Sequence, residues 1–82
     1  MDKTKVYAVS DFQDKLVKET LDDVKESLEE RGYDPINQIV GYLISGDPGY
    51  ISSYKEARTK ISKLDRTKVI EVLVREMLKW NT

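Results

Sequence analysis

The chain is predicted to be all-α, a compact domain of four to five helices around a central apolar helix, with room for a short extended segment near the N-terminus. Three observations predict this. Segments with apolar residues at helical spacing succeed one another, helix-starting residues precede them, and breaks fall at Gly32-Tyr33, Gly46-Asp47 and Leu64-Asp65. At 82 residues there is one domain. A chain of this length buries only about 60–65% of the surface that it exposes when unfolded, so pairing with a second copy would add core.

Residues 1–9 have no helical period, and Val6-Tyr7-Ala8-Val9 is mildly strand-like. They are read as a flexible or extended tail, with residues 10–82 forming the domain. Ser10 and Gln13 form a capping-box pattern and Gly32 closes the next segment, which predicts a first helix from about Asp11 to Arg31. Its buried stripe is Val17, Leu21, Val24 and Leu28, extended toward the start by Phe12 and Leu16.

The stretch from Tyr33 to Tyr54 holds both prolines, three of the four glycines and four of the five tyrosines. Asp34-Pro35 is a helix start and Gly46 a stop, and Asp47-Pro48 repeats the start signal. Between them Ile39-Val40-Gly41-Tyr42-Leu43-Ile44 is apolar on all sides, as expected of an enclosed central helix. Gly41 costs that helix about 1 kcal/mol relative to alanine, which points to a close crossing there. Tyr50, Tyr54, Ala57, Ile61 and Leu64 share one side of the next segment, predicting a turn at 48–51 and a helix from about Ser53 to Lys63. Asp65 caps a last helix from Arg66 to Trp80. The wide apolar arc of that helix (Val69, Ile70, Val72, Leu73, Val74, Met77, Leu78, Trp80) calls for two neighbours, one of them a second subunit in a homodimer.

The chain has no histidine and no cysteine, which removes the commonest general base, the strongest nucleophile and the usual zinc ligands. Carboxylate pairs such as Asp22-Asp23 and Glu29-Glu30 lie on the wet face of the first helix, without an apolar pocket to raise a pKa. Gly46-Asp47-Pro48-Gly49 lacks the lysine and context of a phosphate loop. No catalytic residue, metal or cofactor is therefore expected. The N-terminus has no signal-peptide core and no apolar run is long enough to span a bilayer, which suits a soluble cytoplasmic protein.

Net charge is −1, yet residues 10–31 carry eight acids against four bases, and residues 55–68 six bases against two acids. Lys55, Arg58, Lys60 and Lys63 are the candidate face for an anion or partner. The asymmetry equally suits helix-to-helix complementarity. With the four tyrosines nearby, a small helical nucleic-acid-binding module is the second reading, against which the pI near 5.4 weighs.

Asp34-Pro35-Ile36-Asn37-Gln38-Ile39-Val40-Gly41-Tyr42, followed by Ser45-Gly46-Asp47-Pro48-Gly49-Tyr50-Ile51, closely resembles the PINQ-VGY and SGDP-Y signature of the IreB family of small regulatory phosphoproteins. The likeness continues into Ala57-Arg58 and Val72-Leu73-Val74-Arg75. The resemblance implies a non-enzymatic protein of Gram-positive bacteria that is acted on by a Ser/Thr kinase and a phosphatase. It further implies action on a downstream protein in cell-envelope stress signalling. Family members carry phosphorylatable threonine in the N-terminal tail, and alignment without gaps back from Tyr33 brings Thr4 onto one such position. The signature positions Asp34, Pro35, Asn37, Gln38, Gly41, Tyr42, Gly46, Asp47, Pro48 and Tyr50 are expected to hold the corner between helices. A phosphate on Thr4 would add about −1.5 to −2 charge between Lys3 and Lys5. Two outcomes are open: the acidic tail docks on the 55–68 face, or it stays free and a partner reads it.

Overall fold

The computed structural model describes residues 3–79, with side chains from residue 12 onward. Four α-helices account for most of them: α1 (Lys3–Glu30), α2 (Pro35–Ser45), α3 (Ala57–Ser62) and α4 (Arg66–Leu78). Short 3₁₀ turns at Pro48–Tyr50 and Tyr54–Glu56 join α2 to α3, and no strand occurs among the described residues.

In the structure, α1 starts well before the expected Asp11, and the backbone of residues 5–9 is helical rather than extended. No glycine or proline interrupts residues 3–31, and a valine costs a helix only about 0.5 kcal/mol relative to alanine. With no partner strand to pair with, the β-preference of Val6-Tyr7-Ala8-Val9 loses. Residues 1–2 of the expected tail lie outside the described residues. The other end is closed by Gly32 at φ 82. Tyr33 N–H donates to Leu28 O at 2.9 Å across this residue, the Schellman arrangement that satisfies late carbonyls.

The stripe predicted on α1 is the spine of the core. Val24 and Leu28 are fully buried with Tyr42, Ile51, Ala57 and Ile61, while Val17 packs with Val69 and Val72. Leu21 and Leu43 touch both groups and make the core continuous. The centre of the domain is thus α1, onto which α2, α3 and α4 pack, and not the apolar helix α2. Only one side of α2 is covered, by way of Ile39, Tyr42 and Leu43. Ile36 and Ile44 on its other side are 71% and 80% exposed, since no described element crosses there. A continuous apolar run marks a helix whose second face is available for burial, and here the monomer leaves that face open.

Between Ser53 and Lys63 the expected helix forms only from Ala57. Lys55 and Glu56 precede it in consecutive left-handed conformations (φ 55 and 63), which reverse the chain and split Tyr54 from the Ala57-Ile61 stripe. Lys55 is held there by Glu30, at 3.0 Å. Ser27, fully buried on α1, donates its hydroxyl to Tyr54 O at 2.8 Å. A left-handed L-residue costs about 1–2 kcal/mol, and glycine returns some of this through its larger unfolded-state entropy. Glu56→Gly is therefore expected to stabilise the domain by about 0.5 kcal/mol in urea denaturation, and a destabilised variant would contradict the left-handed assignment.

The last helix is capped by Asp65, whose Oδ1 accepts Thr67 N–H at 2.9 Å. Val69 and Val72 face the core, whereas Ile70, Leu73, Val74, Met77 and Leu78 remain substantially exposed. Trp80 lies outside the described residues.

Candidate functional site

The signature residues converge on the corner after α2. Asp34 accepts the N–H groups of Ile36 and Asn37, and Pro35 fills the first helical position. Gln38 Nε2 donates to Tyr50 O at 3.0 Å, tying the 48–50 turn back to α2. Asn37 is exposed, so of the two amides Gln38 alone closes a bond to the corner. The close approach foreseen at Gly41 is made by the Tyr50 ring, whose atoms would lie 2.5 Å from a Cβ built there. Tyr42 is buried beneath. Gly46 adopts φ 75 and carries the Arg66 guanidinium against it, with Arg66 Nη1 donating to Leu43 O at 3.1 Å. Asp47 caps the turn through Gly49 N–H at 2.8 Å, and Pro48 starts it. From the far side Arg58 Nε donates to both Pro48 O (3.1 Å) and Ile51 O (2.9 Å). Nine of the ten signature positions thus have a structural part in α2 and its braced corner, and Asn37 is the exception.

At the 55–68 face the cations are largely engaged. Lys55 meets Glu30 and Glu26 of α1 (3.0 and 3.7 Å), and its hydrogen bond to Glu30 is the main reason its pKa is raised above the ordinary lysine value. Lys60 meets Asp23 at 3.2 Å, and Arg58 is committed to the corner carbonyls. Among the described residues Lys63 has no carboxylate at ion-pair distance. The opposite charges of residues 10–31 and 55–68 are therefore paired across the α1–α3 contact, within the domain. Three of the four tyrosines have structural duties: Tyr42 is buried, Tyr50 covers Gly41 and Tyr54 stacks under Arg31 at 5.0 Å, while Tyr33 is exposed.

A second charged seam joins α1 to α4. Arg75 bonds Asp14 at 2.7 Å and Glu71 at 2.8 Å, and Asp14 above all holds the guanidinium pKa up. Lys79 and Lys18 flank Glu76 at 2.9 and 3.2 Å and, Lys79 first, hold its carboxyl below the usual value of 4.5. A depressed carboxylate adds stability that is present above its unfolded pKa and lost as pH falls through the folded one. The melting temperature of wild type is accordingly expected to exceed that of Glu76→Gln at pH 7, and the gap to narrow progressively as pH falls below the ordinary Glu value of about 4.3. A gap that persists at low pH would assign the difference to packing.

Thr4 lies in the first turn of α1. With ~1.5 Å of rise per residue, about 28 Å of helix separates it from Asp23, where Lys60 of α3 pairs. The 55–60 part of that face is thus remote from Thr4 in its own chain and already occupied by Glu26, Glu30 and Asp23.

The IreB regulatory phosphoprotein family model matches residues 2–79. The chain belongs to the IreB family. Its match covers α1 through α4, so the corner, the α1–α3 pairing and the position of Thr4 are all within the family's span. A regulatory phosphoprotein role follows. Among the described residues no helix is long and apolar enough to cross a membrane. Ser27 and Arg66 are parts of the architecture that sequence reasoning missed. A serine on the apolar edge of α1 was the available signal for Ser27, while Arg66 was visible only as one more base.

Proposed function

We propose that this IreB-family protein is a non-enzymatic switch of cell-envelope stress signalling in the cytoplasm. In this reading Thr4 is phosphorylated by a Ser/Thr kinase, the mark is removed by a phosphatase, and a homodimer works through contacts with a downstream protein. The observation that carries the reading is the family match over residues 2–79 together with a threonine in the outermost described turn. The engaged state of Lys55, Arg58 and Lys60 favours a partner that reads the phosphate directly, and it disfavours nucleic-acid binding. For the homodimer, support comes from apolar side chains left open on α2 (Ile36, Val40, Ile44) and α4 (Ile70, Leu73, Val74, Met77), since monomers rarely expose such continuous stripes.

Two experiments test it. Incubation with the cognate membrane kinase and ATP should modify wild type and leave Thr4→Ala unmodified, and equal labelling of both would reject the site. Sedimentation should return twice the 9.5 kDa chain mass at high micromolar concentration. Met77→Asp, a charge at a position 65% exposed in the monomer, should return the single mass with the circular dichroism unchanged. A wild-type monomer would remove the dimer from the scheme.

A further inference from the structure

The helix α3 runs antiparallel to α1: Lys55 pairs with Glu26 and Glu30, Lys60 with Asp23, and Leu64 packs near Val17. At Leu64-Asp65 the chain leaves this track to start α4, although α1 continues. A recess of about 340 Å³ opens where the track ends. Its apolar part is Leu16, Val17 and Leu64, and Lys63 and Lys68 stand at its edge. Leu16 is 42% exposed, and Phe12, one turn earlier on α1 in line with the track, is 67% exposed.

Charge at this recess differs from that beside α3. The track's other lysines are neutralised by α1 acids, whereas Lys63 has no such partner among the described residues and Lys68 reaches Asp14 only at 3.8 Å. Asp65, the acid at the edge, turns one oxygen to the start of α4, and the two lysines outnumber it. An unpaired cation beside an open apolar strip favours carboxylates next to apolar anchors.

We propose that the recess formed by Leu16, Val17 and Leu64, with Lys63 and Lys68 at its edge, is a docking groove for an acidic amphipathic helix of a partner protein. That helix prolongs the line of α3 antiparallel to α1. Its apolar residues, spaced four apart, sit on Leu16 and Phe12, and its carboxylates meet Lys63 and Lys68. The groove is separate from the exposed faces of α2 and α4 and from Thr4, so it does not depend on dimerisation or phosphorylation.

The test is amide NMR titration of the full chain with a synthetic helix of about 14 residues, long enough to form helix on binding. The probe has leucines on one stripe flanked by glutamates, and the control replaces each glutamate with lysine. Saturable shifts confined to residues 12–17 and 63–68 are expected, with affinity at least about tenfold lower for the control, a difference of about 1.4 kcal/mol. Lys63→Glu, which breaks no ion pair of the described residues, should weaken the acidic probe similarly while circular dichroism stays unchanged. Shifts centred on α2 or α4, equal binding of both probes, or no saturable response overturn the proposal. Movement of the same amides on dilution without any probe overturns it too, since a second copy would then be the occupant.

Discussion

Replacing Leu28 with alanine is expected to cost about 3–4 kcal/mol, a large part of the whole stability of a domain this size. Leu28 is fully buried and meets neighbours from three directions, packing with Tyr42 of α2, Ile51 of the connecting segment and Ala57 and Ile61 of α3. None of these can follow the lost atoms inward without giving up another contact. Tyr42 is held by its helix, and Ile51 by the corner that Arg58 and Gln38 brace. The cavity should therefore persist and destabilise beyond the transfer of the side chain itself. Urea denaturation of Leu28→Ala against Leu73→Ala, a substitution of the same chemistry at a half-open site of α4, checks the point at a concentration where the chain sediments as a monomer. Equal losses for the two would mean that α1 is not the spine of the monomer.

Arg58→Ala is expected to cost about 1–3 kcal/mol, because a part-buried carbonyl is left without its donor. Lysine should not restore it. The Nε–H of arginine lies in the guanidinium plane and is shared between two carbonyls ten and seven residues upstream, a geometry that a flexible ammonium does not reproduce. Loss should appear locally before it appears globally, so limited proteolysis within residues 46–56 should accelerate in both variants under native conditions. Full resistance in Arg58→Lys would show that charge alone holds the corner.

Local signals made most of this architecture legible in the sequence. Asp34-Pro35, Gly46, Asp47-Pro48 and Asp65 each act through bonds to residues a few positions away, and all sit where their chemistry predicts. The Val17-Leu21-Val24-Leu28 stripe was equally plain, because burial repeats with the helix. Features that depended on long-range pairing were not legible. The left-handed Lys55-Glu56 reversal is accompanied by bonds from Ser27 and Lys55 that reach between it and α1, and the local preference of lysine or glutamate does not favour it. Exposure of one face of α2 was hidden for the opposite reason, since an apolar residue that awaits a partner reads the same as one already enclosed. The candidate site divided along the same line. Motif residues became structural parts, while Lys63 stood out from Lys55 and Lys60 only once their partners on α1 were in place.

The length of α1 insulates the domain from any charge placed at its start. Between Thr4 and Asp14, the first described side chain of α1 in an ion pair with another helix, lies about 15 Å of helix. Mobile ions reduce the field of an exposed charge over about 8 Å at physiological ionic strength. A phosphate at Thr4 would therefore be nearly invisible to the charged seams of its own domain, and raising or lowering its occupancy would leave their balance unaltered. On the proposed phosphorylation of Thr4, the mark and the α1–α4 seam would vary separately, and the phosphate would act on the N-terminal turn of α1 itself.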